Sequence, residues 1–230
     1  MEWSYLIERI TEYWPKLFIS LKETMIMMGF STLAAVGVGL PLGTFLFLAA
    51  KQDLLGQKRW ARIAHSLLSL VINIIRSFPF LLLVVALQPV VRMLYGRATG
   101  NPVAASFSMM VIASALYARF VEQSLFDVPI GIIETAQAMG ATIWQIVFKF
   151  LYVEARSSLI IGFTTAFVSF LSYSTIMGVI GGGGIGDFAI RYGYQRYESD
   201  IMYFAIVLII ILVQIFQYFG LKLAQKIDKR

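Results

Sequence analysis

The chain has 230 residues, 59% of them hydrophobic and only 14% charged, with a mean hydropathy of +0.77, a balance that lies outside that of soluble domains and suits a bilayer. Cysteine is absent and His65 is the single histidine, which excludes disulfides, thiolate metal sites and cysteine nucleophiles and leaves a metal centre without the converging donors it needs. The net charge of +6 comes from Lys and Arg placed mostly at the ends of apolar stretches, not in a stripe interleaved with exposed aromatics, so it argues for membrane topology and against a nucleic-acid partner.

Positions 1–23 carry Glu2, Glu8 and Glu12 in place of a basic leader, so no cleavable signal peptide is expected. Trp3, Tyr5, Tyr13 and Trp14 there suit an amphipathic segment resting at the extracytoplasmic interface. Five stretches follow that are long enough to cross a hydrocarbon core: 24–50, 63–91, 98–118, 157–180 and 201–221. Only the second holds a charge, Arg76, and the fourth is cut short by the run Gly181-Gly182-Gly183-Gly184. Five spans place the termini on opposite sides. With the N-terminus outside, eleven Lys and Arg fall on inner segments and seven on outer ones, and the 51–62 loop and the 222–230 tail are strongly basic. The expected orientation is therefore N-terminus outside and C-terminus cytoplasmic.

In the second span, Arg76 with Asn73, Ser77 and Pro79 is read as a group that bonds carbonyls freed at a proline kink. His65, at the start of the same span, is read as an interfacial residue. No acidic residue falls within the five stretches, which argues against a proton-coupled carrier, and neither inverted repeats nor coupling-ion ligands are visible.

Between the third and fourth spans lie nearly forty residues, 119–156. Ile132, Ala136, Met139, Ile143, Ile146, Val147 and Phe150 recur there at spacings of three and four, drawing one apolar stripe on a helical surface. Glu134 and Lys149 bracket too few uncharged residues to span. Gly140 marks a point where one short helix ends, and Thr142 is placed to cap the next. Composition alone leaves two destinations open for this face: the inner end of its own bundle or the membrane surface, and a groove on a partner protein.

The fourth span is dense in hydroxyls, which commonly bond their own helix carbonyls. Ser169, Ser172 and Met177 approximate one face and are expected to line a passage of modest polarity with soft apolar contact. The Gly181 to Gly186 run looks like a phosphate loop but lacks the Lys-Ser/Thr that would follow, and it reads as a flexible re-entrant or close-packed turn with Gly181, Gly184 and Gly186 as structural or gating positions. Asp187, Glu198 and Asp200 form the only outer acidic cluster, and their spacing matches no metal loop.

Glu134-Thr135-Ala136-Gln137-Ala138-Met139-Gly140-Ala141, followed by Ile146 and Leu151, resembles the EAA loop of permease subunits of binding-protein-dependent ABC importers. It departs from that pattern at Thr135 and at Val153 and Ser157, which stand where prolines commonly follow. The segments 73–80 and 181–197 resemble those of D-/L-methionine importer permeases. The resemblance implies an all-α integral membrane protein of five transmembrane helices with the type I ABC importer permease fold, and a transmembrane domain over 24–221. Its coupling helices, within 131–150, would dock on a cytoplasmic ATPase through Glu134, Ala136, Gly140 and Ala141. The implied assembly is a homodimer in the lipid of a bacterial cytoplasmic (inner) membrane, with two ABC ATPase subunits beneath and an extracytoplasmic substrate-binding protein, free or lipid-anchored, above. The implied substrate is methionine or a similar amino acid, with another amino acid, a peptide or a sulfonate as the rival. No cofactor is expected on this chain. ATP and Mg belong to the ATPase, so the chain is expected not to be an enzyme.

Overall fold

The computed structural model describes residues 3–97 and 99–228, with side chains from position 8 onward; the side chains of Trp3 and Tyr5, the start of the third stretch at Ala98, and Lys229 and Arg230 of the tail lie outside the described residues. Every regular element among them is helical. In chain order they are α1 (Trp3–Ala34), α2 (Leu40–Ala50), α3 (Arg59–Ser77), α4 (Phe80–Tyr95), α5 (Pro102–Phe126), α6 (Ile130–Ala138), α7 (Ile143–Gln145), α8 (Tyr152–Glu154), α9 (Arg156–Val179), α10 (Gly184–Phe188) and α11 (Ser199–Ile227). Four π-helical segments, Ala35–Gly39, Gln52–Gly56, Ile146–Leu151 and Ala189–Tyr194, lie between them.

Glu8–Ala50, Pro102–Phe126, Arg156–Val179 and Ser199–Ile227 are long and apolar enough to cross a membrane, and α3 with α4 adds a fifth crossing if that pair is one span. The first helix runs without interruption through positions 23 and 24. The second stretch, expected as one kinked span, is instead broken: α3 ends at Ser77, Phe78 and Pro79 are extended (ψ 132° and 128°), and α4 begins at Phe80. The proline ring denies the preceding residue a helical ψ and Pro79 has no N–H to offer, so the helix stops instead of bending. α5 starts on Pro102 with the Asn101 side chain accepting the Val103 N–H at 2.9 Å, and it continues past Ala118 to Phe126. This long helix therefore takes in Arg119 and Glu122, beyond the 98–118 stretch expected as the third span.

The chain divides into two compact units that share the long helices. One comprises the chain up to Thr32 with Pro79–Val111 and Phe167–Phe216; the other comprises Leu33–Phe78, Ile112–Ala166 and the chain from Gln217 on. In the first, Tyr13, Leu17, Ile185, Phe188, Ile201 and Ala205 form a buried cluster. Tyr13 is thus core and not, as expected, at rest on the interface. In the second, Leu46, Ile72, Ala115 and Ala118 pack together, and Phe47 meets Phe126 edge to face. Here α2 rides against the backbone of α5: a Cβ on Gly43 would lie 2.2 Å from the Ala118 carbonyl oxygen. Only 6% of the most apolar stretch of α11 is buried, as suits a helix whose neighbours are lipid or another chain.

Candidate functional site

The segment after α5 forms as its residues dictate. α6 ends at Gly140, whose φ of +72° is left-handed, the conformation glycine adopts without a Cβ penalty. Thr142 then caps α7 in a reciprocal box: its hydroxyl accepts the Gln145 N–H while the Gln145 side chain accepts the Thr142 N–H at 2.8 Å. Thr142→Ala is expected to destabilise this turn by about 1 kcal/mol, measured as faster amide exchange confined to 142–148.

Glu134, Gly140 and Met139 are exposed, but Ala136 is fully buried and bonds the Ala141 N–H through its carbonyl at 3.0 Å. Ala136 is therefore not part of the open surface expected of it; its smallness serves packing beneath α6. The expected stripe is also split. Ala136, Ile146 and Val147 turn inward, joined by Ile133 from outside the stripe, whereas Met139, and Trp144 beside it, stay about three-quarters exposed. Gln137 donates to the Asp53 carbonyl at 2.7 Å and ties α6 to the 51–58 loop. Glu134 has no partner among the described residues. Behind α7, an almost wholly apolar cavity of about 710 Å³ lies between α2 and Ile143–Tyr152; its one polar pair, the Thr44 and Tyr152 hydroxyls 2.7 Å apart, satisfies itself.

The expected pathway face on α9 does not form a single surface. Ser172 is exposed, Ser169 half-buried and Met177 buried. The hydroxyls of Thr164, Thr165, Ser172, Ser174 and Thr175 all donate to carbonyls three or four residues back, the ordinary use of such residues in apolar helices.

The glycine run is a close-packed turn. Gly181, Gly183 and Gly184 have φ of +81°, +83° and +89°, and a Cβ on Gly186 would lie 2.3 Å from the Thr175 carbonyl oxygen. α1 reaches this turn: the Glu23 carboxylate accepts the Gly184 N–H at 2.8 Å and the Thr24 hydroxyl accepts the Ile185 N–H at 2.9 Å. Residues distant in sequence thus satisfy the free donors that open α10. Nothing in the sequence signals this role for Glu23.

Asp187, Glu198 and Asp200 are all ion-paired. Arg9 pairs with Glu198 and, at 3.6 Å, with Asp200; Asp187 pairs with Arg191 at 3.1 Å. Tyr13 donates to Glu198 at 3.1 Å, and Lys16 and Arg196 stand over the Tyr192 ring. Among the described residues no three His, Asp or Glu side chains converge on a metal position.

Arg76 does not hold the break at Pro79. Ser77 donates to the Asn73 carbonyl, and the Asn73 side chain accepts instead from Arg119, which also donates to the Ser69 hydroxyl and carbonyl and pairs with Glu122. His65 faces the same carboxylate at 3.9 Å and joins this cluster. The polar positions 62, 65, 69, 73 and 76 repeat at three and four, a helical stripe that the sequence shows once the apolar periodicity is set aside. The opposite face, with Ile63, Leu67, Leu70 and Ile74, is exposed, the reverse of a soluble amphipathic helix.

A sequence-family profile described as the binding-protein-dependent transport system inner membrane component matches residues 39–228. The chain is 40% identical over 217 residues to a probable D-methionine transport system permease protein, MetI, of Haemophilus influenzae, covering 94% of this chain and all of that one. It is 37% identical over 221 residues to the methionine import system permease protein MetP of Bacillus subtilis, covering 96% of each. In structure it resembles a chain of the inward-facing MetNI methionine ABC transporter at a TM-score of 0.86 and 33% identity, covering 93% of this chain and 96% of that one. A chain of an amino acid ABC transporter, at a TM-score of 0.77 and 16% identity, shares the fold.

Proposed function

Because this chain belongs to the family of inner membrane components of binding-protein-dependent transport systems, we propose that it is the permease subunit of an ATP-driven importer of methionine or a closely similar amino acid. Two copies pair around a shared path in a bacterial inner membrane, N-terminus outside and C-terminus in the cytoplasm. Two ATPase subunits, which hold ATP and Mg, dock beneath, and an extracytoplasmic binding protein delivers substrate above. The family alone makes the chain a transport component and not an enzyme.

The observation that carries the coupling role is the capped helix-turn-helix at 130–145. It holds an exposed carboxylate at Glu134, without a partner among the described residues, beside two exposed apolar side chains, Met139 and Trp144, on the side marked inner by the basic 51–62 loop. A surface of this kind, with a charge and large side chains kept out of the core, suits a groove on a second protein better than it suits water. Nucleotide closure of the ATPases would move these segments and bias the spans between inward-facing and outward-facing states. Ser169 and Ser172 remain our candidates for the path, with Met177 behind them against Gly182.

Co-reconstitution with the ATPase and binding protein in vesicles tests the reading. ATP-dependent accumulation of labelled methionine is expected, abolished by omitting either partner. Accumulation that survives without the ATPase, or none with all components present, sinks it.

A further inference from the structure

Arg76 is the only Lys, Arg, Asp or Glu from position 63 to 91, and among the described residues it has no hydrogen-bond or ion-pair partner. It lines a cavity of about 290 Å³ with Arg119, Phe120, Glu122, Gln123 and Phe126. Arg119 is held in place by Glu122, Ser69 and Asn73, yet its Nε is buried without an acceptor. The site thus has one carboxylate against two guanidinium groups, a surplus of positive charge facing a small space walled by two phenylalanines. A guanidinium left unpaired in such a segment is costly, and a planar donor fork suits a carboxylate.

We propose that this cavity is a polar station for the transported amino acid, resting on the importer reading above: Arg76 receives the α-carboxylate, Glu122 offers counter-charge to the ammonium group, and Phe120 and Phe126 meet the apolar side chain. Arg119 is a positioning residue that fixes Glu122 and the Ser69–Asn73 face of α3. The cavity selects a zwitterion and not an uncharged solute of the same size.

The test uses the assembled permease–ATPase complex in vesicles, with a diazirine analogue of methionine as the probe and peptide mapping of the label. Label is expected on the α3 and α5 peptides that hold Arg76 and Phe120–Phe126. Excess methionine should suppress it at least tenfold and the same concentration of methionine methyl ester, which lacks the anionic carboxylate, should not. Arg76→Gln should lower the label at least tenfold and Arg76→Lys by less. Equal suppression by acid and ester, full labelling of Arg76→Gln, or label confined to other peptides overturns the station. The ester comparison is made on the wild-type complex, so it stands even where a variant fails to assemble. ATP-dependent methionine uptake is measured in the same vesicles: uptake together with equal suppression of the label by acid and ester removes the station alone, whereas no uptake removes the importer reading and the station with it.

Discussion

Glu134→Lys is expected to abolish ATP-driven uptake, by a hundredfold or more, while the chain still reaches the membrane in normal amount. The carboxylate is exposed and bonds nothing among the described residues, so the substitution removes no contact that holds the fold. Its neighbours on α6 carry the local structure instead: Thr135 donates to the Gly131 carbonyl and Gln137 to the Asp53 carbonyl. A cationic partner group docked against Glu134 would lose an attraction and gain a repulsion, and truncating one member of such a pair at an interface costs about 2–5 kcal/mol, or roughly 30- to several-thousand-fold. The measurement is co-purification of the ATPase with a tagged permease, read beside uptake. Glu134→Gln, which keeps the shape and loses the charge, should fall between the two. Normal uptake by Glu134→Lys would remove Glu134 from the coupling surface.

Much of this arrangement was legible in the residues because it depends on local chemistry. Apolar length marks a crossing wherever it occurs, and the Gly140–Thr142 boundary follows from φ and capping preferences that a single turn decides. Where the reading failed, the deciding partner lay far along the chain. Arg76, Asn73 and Ser77 share a helical turn, so a local network was the natural expectation, but Arg119, 46 positions away from Asn73, takes its side chain. The same holds for Ala136, which looks like surface smoothing in sequence and is buried in the fold. The third long helix runs past position 118 because a charged side chain does not by itself end a helix. A paired Arg119 and Glu122 can continue within a helix when each neutralises the other and α3 supplies further acceptors. The polar stripe on α3 was present in the sequence but masked, because the apolar face that conceals it is the one turned outward.

The second large effect is expected at the glycine turn. Gly183 combines φ +83° with ψ −165°, a region that only glycine occupies at low cost, and a Cβ there would stand 2.5 Å from a Glu23 carboxylate oxygen. Gly183→Ala therefore meets two separate penalties. Backbone strain costs about 1–3 kcal/mol. In addition Glu23 must swing away, giving up its charge-assisted bond to the Gly184 N–H, a loss of about 1.5–3 kcal/mol. Together they predict roughly 3–5 kcal/mol of destabilisation, seen as a lower unfolding midpoint of the detergent-purified protein. Glu23→Ala alone should cost about 2 kcal/mol, since it leaves the N-terminus of α10 with an unmet donor while Thr24 still serves Ile185. In the double variant the steric conflict no longer exists, whereas the backbone strain persists. Its destabilisation should fall short of the sum of the single variants by about 1–2 kcal/mol. Strict additivity would show that the carboxylate does not sense the new methyl group. A Gly183→Ala variant within about 0.5 kcal/mol of the parent would show that the turn can relax, and that the glycines there serve something other than close packing on α1.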